Sequence, residues 1–312
     1  MKSDGRSNGK AFFGCRLLLP RAWASSVTVV CALVDGALSK DAVFRLRYRG
    51  SSDRAVFRTF GTGEGDATCR HTLICAEMIE SLKPGTEFDV IQVYPPGQRE
   101  TSAGGLLNGL RRVLASDAKV VCLPSAVAKT VLRREFEGIC HELYNAGVIV
   151  IAAWAPAVAS PVPAAFDTVL GVCRTRAESG NALISWLQPP GIFGTPFAAS
   201  YGTALLAGAA LLHLEQTGAS HPRIFAEHFR KFADAFSLKS DSLAICSSPL
   251  DYILHQAGPH LALAYREYNF KLLSESAESR RLPQDEKEDD YRYLRDCGRC
   301  GSGCLRPSQA SQ

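Results

Sequence analysis

Residues 27–34, VTVVCALV, form an almost unbroken apolar run rich in β-branched side chains, and this run restricts the fold more than any other feature of the chain. A strand wetted on one face alternates polar and apolar residues. A run that is apolar at nearly every position is covered on both faces, as in a parallel sheet. Comparable runs recur at 88–94, 119–123, 148–153 and 168–173, and segments with helical spacing lie between them at 71–82, 106–115 and 129–145. Strands alternating with helices of this length imply an α/β fold with a doubly wound, mostly parallel sheet and helices on both faces. Residues 42–49 and 54–60 alternate polar and apolar like edge strands. Residues 196–216 read as a long apolar helix. A shorter amphipathic helix at 224–236 carries Ile224, Phe225, Phe229, Phe232 and Phe236 on one stripe, which packs in a core or, if exposed, marks an oligomer interface.

Composition narrows the function. The 35 Lys+Arg and 31 Asp+Glu leave a net charge of +4, too small and too dispersed for a general nucleic-acid binder. No run approaches the ~18 apolar residues of a membrane span. Lys2, Arg6 and Lys10 give the N-terminus a basic start, but Arg16, Pro20 and Arg21 interrupt the apolar stretch that an export signal requires. Of the 11 cysteines, Cys31, Cys122 and Cys173 sit inside apolar runs as small buried hydrophobes, a usage that fits a reducing cytoplasm. Cys297, Cys300 and Cys304 offer three soft ligands without a defined fourth, although His255 or His260 could supply one, so no metal and no cofactor is expected. The glycines of 61–66 lack dinucleotide or P-loop spacing. The composition breaks near Leu273. This divides the chain into an N-terminal extension (1–26), an α/β domain (27–273) and a charged, cysteine-bearing tail (274–312).

In open parallel sheets, function gathers where strands end. Asp35 closes the first apolar run, His71 opens the first long helix, and Gly194-Thr195-Pro196 precedes the long apolar helix. A carboxylate, then an imidazole, then a helix start is the chain order of one arrangement of the catalytic triad. VTVVCALVDGAL, HTLICAEMI, VVCLPSA, AGVIVIAAWA, SPVPAAFDTVLGV and GTPFAASYGTALLAGAALL are collinear over about 27–216, and together they resemble the subtilisin-like serine proteases. The resemblance implies a truncated subtilisin-like fold, with Asp35 and His71 in the catalytic places. It also implies a peptide cleft lined by Tyr94, Pro95, Leu123, Pro124, Ser125, Ala153, Trp154 and Thr195.

The same resemblance puts Pro196 at the nucleophile position and Ala155 at the oxyanion asparagine. Proline has no hydroxyl, and alanine has no side-chain donor for a developing oxyanion. With Thr195 as N-cap and Pro196 as the first helical residue, Ser200 would lie four residues on, about 6 Å along the axis and out of His71's reach. The expectation is therefore a pseudoprotease that binds a peptide or protein in its relic cleft, as an accessory protein for precursor-peptide modification in peptide natural-product biosynthesis. It would act as a homodimer or with a pathway enzyme. Two alternatives stand beside it: an active serine endopeptidase with a displaced nucleophile, and a structural subunit that oligomerises through the 224–236 stripe.

Overall fold

The structure, a computed structural model, describes residues 29–38, 56–60, 67–95, 98, 100–128, 130–155, 160–175, 184–188, 191–195, 197–219, 221–235, 254 and 257–279. The proposed strand at 42–49, the glycine-rich loop at 61–66, Pro196, Phe236, His255 and the tail cysteines lie outside them.

Eight strands make one sheet: β1 (Val30–Asp35), β2 (Val56–Phe60), β3 (Glu87–Gln92), β4 (Val120–Leu123), β5 (Ile149–Ala153), β6 (Leu170–Arg174), β7 (Ser185–Gln188) and β8 (Ile192–Thr195). Their order is β2-β3-β1-β4-β5-β6-β8-β7. Every pairing is parallel except that of β7 with β8. The helices are α1 (Ala67–Leu82), α2 (Ala103–Leu114), α3 (Arg133–Asn145), α4 (Ala199–Thr217), α5 (Pro222–Ala235) and α6 (Gly258–Ser279).

The apolar runs behave as a doubly covered sheet demands. In β1, Cys31 and Leu33 face one core with Met78 and Ile79 of α1, Leu205 of α4, Phe229 of α5 and Tyr265 of α6. Val30, Ala32 and Val34 face a second core with Leu106 and Leu110 of α2 and Phe136 and Leu143 of α3. All six residues of β1 are buried. Each fully buried Val or Leu of this kind stabilises the fold by about 1.5–3 kcal/mol relative to exposure. Cys31, Cys75 and Cys122 are buried as packing residues, whereas Cys173 near the end of β6 is only half-buried.

Three readings from the sequence change. The long helix starts at Ala199, not at Pro196, and its N-cap is Ala198, which offers no side-chain cap. Thr195 ends β8 instead of capping a helix, and its hydroxyl accepts a 3.3 Å hydrogen bond from the Phe197 N–H in the intervening bend. Helix α6 was not foreseen, and it continues past Leu273 to Ser279. The α5 stripe packs in the core, one of the two outcomes expected of it: Phe225, Phe229 and Phe232 are buried, and among its described members Ile224 is exposed. Among the described residues no helix is long and apolar enough to cross a membrane.

Helix α4 is buried all round from Gly202 to Leu214, so its glycines are contact points. A Cβ on Gly202 would stand 2.4 Å from Thr195 Cγ2 and 2.8 Å from Val172 Cγ1. A helix gains about 1 kcal/mol on replacing glycine by alanine, but forcing a methyl into a packed core costs about 1–3 kcal/mol. The contact here is close enough for the cost to dominate. Gly202→Ala is expected to lower unfolding stability by about 1–2 kcal/mol in denaturant titration; an unchanged or raised midpoint would refute this packing.

Candidate active site

β1 lies between β3 and β4 in the sheet, so its carboxyl end opens where chain order reverses, the usual place for a site in an open α/β sheet. Asp35 occupies that end and is 2% exposed. A buried carboxylate needs donors, and two neighbouring residues of α1 supply them. His71 Nδ1 donates to Asp35 Oδ2 at 2.8 Å, and the Thr72 hydroxyl donates to the same oxygen at 3.0 Å. The pairing of Asp35 with His71 expected from their order along the chain is thus present. With Nδ1 committed to the carboxylate, the lone pair sits on Nε2. The imidazole side chain is 33% exposed.

The Tyr201 ring lies along the imidazole, with centroids 6.1 Å apart and planes 27° from parallel. Tyr201 belongs to the first turn of α4, and Ser200, half-buried, immediately precedes it. A helix starting at Pro196 would bury Ser200 a full turn inside it. With the start at Ala199, Ser200 is the second helical residue and directly precedes Tyr201, whose ring is paired with that of His71. The sequence signal for this was the pair Ser200-Tyr201 at the polar head of a run that is otherwise buried from Gly202 onward.

Below His71, one turn along α1, lies Cys75, fully buried. A ligand atom from each of Asp35, His71 and Cys75 falls within 4.8 Å of the others. Burial pushes the Cys75 thiol well above the ordinary range, and the charge of Asp35 adds to the effect.

The segments read from the sequence as lining a cleft differ in how far their side chains are exposed. The Tyr94 hydroxyl and Ser125 Oγ are 2.6 Å apart, joining the extensions of β3 and β4. Burial raises the Tyr94 phenol's pKa; the Ser125 hydrogen bond opposes this and the Asp35 charge adds to it. Pro95 is exposed, whereas the side chains of Leu123, Pro124, Ala153 and Thr195 are buried. Val127 exchanges both backbone hydrogen bonds with Val162 at 2.9 Å, so an added peptide strand can pair there only along the opposite edge. Trp154 is half-buried, its N–H donates to the Val172 carbonyl at 2.7 Å, and its ring packs with the α2–α3 core. Ala155 beside it is half-buried.

No protein-family model and no curated protein matches the chain. Solved structures do. The crystal structure of a lanthipeptide protease aligns with a TM-score of 0.51 at 14% identity, covering 65% of this chain and 79% of that one. A cold-adapted subtilisin-like serine proteinase gives 0.49 at 15% identity, over 65% and 81%. The prenylagaramide maturation protease PagA gives 0.45 at 15% identity, over 77% and 94%. The chain has a subtilisin-like fold. Within it, the Asp35–His71 pair stands at the end of β1 and the start of α4 faces it.

Burial alone would lower the His71 pKa, but the hydrogen bond and charge of Asp35 outweigh it and the net shift is upward. A group whose folded-state pKa is raised adds stability in full below its unfolded value, and that stability is lost as pH rises through the folded value. In an NMR titration the His71 midpoint is expected above the ordinary ~6.5 and should fall in Asp35→Asn. A midpoint indifferent to that substitution would mean that the pair does not form in solution.

Proposed function

We propose that this protein is a serine endopeptidase of the subtilisin-like type, with Ser200 as nucleophile, His71 as general base and Asp35 as the residue that orients the imidazole. The observation that supports this reading is the start of α4 at Ala199, which makes Ser200 the second helical residue, next in sequence to Tyr201, whose ring stacks 6.1 Å from that of His71. In this mechanism Asp35 holds the Nδ1 proton. Nε2 then accepts the Ser200 proton as Oγ attacks the scissile carbonyl, and later returns it to the leaving amine. The first-turn N–H groups of α4 lie at the positive end of the helix, and Ala198 provides no side chain to fill them. The Ser200 main-chain N–H can therefore serve as an oxyanion donor. Ala155 adds no side-chain donor, and the loss of one such donor costs ~10²–10³ in rate, so turnover should be slow. The substrate is an extended peptide laid beside the 123–127 stretch and bound through main-chain hydrogen bonds.

A second reading keeps the cleft and drops the chemistry. The protein would bind a peptide, alone or with a partner enzyme, as an accessory to precursor-peptide modification. It is favoured by the absence of any side-chain amide at Trp154-Ala155.

One experiment separates the two. A fluorophosphonate probe is expected to label the wild-type protein and Pro196→Ala, and to leave Ser200→Ala and His71→Ala unlabelled. Casein should be cleaved slowly by the first two only. Labelling that survives Ser200→Ala would overturn Ser200 as nucleophile. A protein that neither labels nor cleaves, yet binds peptides in a manner lost in Trp154→Ala, would establish the second reading.

A further inference from the structure

At the other end of α4 from Ser200, two further imidazoles meet where α4, α5 and α6 pack together. His213 of α4 and His228 of α5 have ring centroids 4.9 Å apart. His213 is buried, and the Tyr265 hydroxyl of α6 lies 3.2 Å from its Nδ1. Asn269 of α6 donates through Nδ2 to Gln216 Oε1 at 2.5 Å, which leaves its Oδ1 to accept from His228 Nε2. Aromatic rings close the junction: Phe225 of α5 lies 5.5 Å from His213, and Tyr265 and Tyr268 meet His228 edge to face. α6 is thus joined to α4 and α5 by side chains that carry no charge while both imidazoles are neutral.

A proton upsets this arrangement. An imidazolium is a donor at both nitrogens. Whichever partner donates in the Tyr265–His213 contact, a protonated His213 carries an N–H at Nε2, and that atom is buried with no hydrogen-bond partner among the described residues. The surrounding charges work against protonation as well. His228 acts on His213, and Lys231 of α5 acts on His228, both as cations. Glu215 of α4 is held by Lys83 of α1 at 2.9 Å, and Asp234 of α5 acts on Tyr268. Burial, with the help of His228, pulls the His213 pKa down to about 4. Burial and Lys231 also lower that of His228, against the pull of its hydrogen bond to Asn269.

We propose that His213 and His228 form an acid-released latch that fastens α6 to α4 and α5 while both imidazoles are neutral. Charging either ring puts a cation into a buried, aromatic-lined junction beside a second basic group, and lifting α6 away returns that cation to water. α6 is the last element described and is laid over α1 and α4, so it can open while the sheet stays folded. A group whose folded-state pKa is lowered stabilises in full above its unfolded value; that stability drains as pH falls from ~6.5 towards the folded value, about 4 for His213. His71 acts in the opposite sense, because its pKa is raised. The latch does not depend on the peptidase reading.

Hydrogen exchange of the full-length protein at about pH 7 and about pH 4.5, corrected for the intrinsic exchange rate, tests the latch. Protection of the α6 amides is expected to fall about tenfold or more at the lower pH, while that of β1 and β4 changes by less than about twofold. In the double variant His213→Gln, His228→Gln, shown to be folded by circular dichroism at neutral pH, the α6 response should shrink below about twofold. NMR titration of the wild-type protein should give midpoints below ~6.5 for both His213 and His228. α6 protection indifferent to pH, an equal loss in β1 and β4, or a response that persists in the folded double variant overturns the latch, as does a His213 midpoint at or above ~6.5. If the double variant does not fold, the wild-type exchange pattern and the two midpoints decide.

Discussion

A carboxylate with 2% exposure at the end of a central strand has to be satisfied from outside its own element. Leaving it unpaired would cost several kcal/mol. Asp35 is satisfied by α1, through two consecutive residues that reach the same oxygen. Two adjacent donors on a helix are about 100° apart around its axis, so meeting one acceptor with both fixes the helix's rotation. That rotation sends Cys75, Met78, Ile79 and Leu82 into the core and sets the surface against which α4 packs. There Gly208 brings the two helices close: a Cβ on it would meet Leu82 Cβ at 2.9 Å and the Ile79 carbonyl at 3.2 Å. The position of α4, and with it the placement of Ser200 and Tyr201, follows from a contact made at the end of β1.

The parallel sheet was legible because double burial writes itself into a sequence as unbroken apolar runs. β1, β3, β4, β5 and β6 fall within a few residues of where their runs lie. The start of α4 was not legible, and the failure is local. Threonine followed by proline satisfies every rule for a helix N-terminus. The close approach of Gly202 to Thr195 and Val172 instead accompanies a helix that begins at Ala199, with no capping side chain. Tertiary packing overrode propensity at this boundary. α6 was hidden for a different reason. It buries Leu261, Ala262, Tyr265 and Asn269 while exposing Leu263 and Phe270, so apolar residues fall on both faces and no clean stripe appears.

The candidate site was half legible. The order of Asp35 and His71 along the chain was enough to anticipate their pairing, because each closes or opens an element whose position in an α/β sheet is predictable. What the sequence could not give was which atoms of the cleft segments face a ligand. Leu123 stands at a strand end as expected and Thr195 at one that was not, and both are buried. Tyr94 and Ser125, by contrast, meet hydroxyl to hydroxyl. Side chains alternate sides along a strand, so an error of one residue in where the strand stops moves a side chain from cleft to core.

The chemistry of the site is decided by how many demands one imidazole can meet. Nδ1 already serves Asp35, so His71 is held in the tautomer that leaves Nε2 to act as a base, and the stacked Tyr201 ring limits how far the imidazole can turn. These features favour proton transfer. In the proposed peptidase the lack of a side-chain donor at Ala155 would work against it, by a factor that slows an acyl transfer without abolishing it. The buried carboxylate that orders the fold would then also be the group that keeps the base in its active tautomer, so that a change at Asp35 would disturb the packing of α1 and the chemistry together.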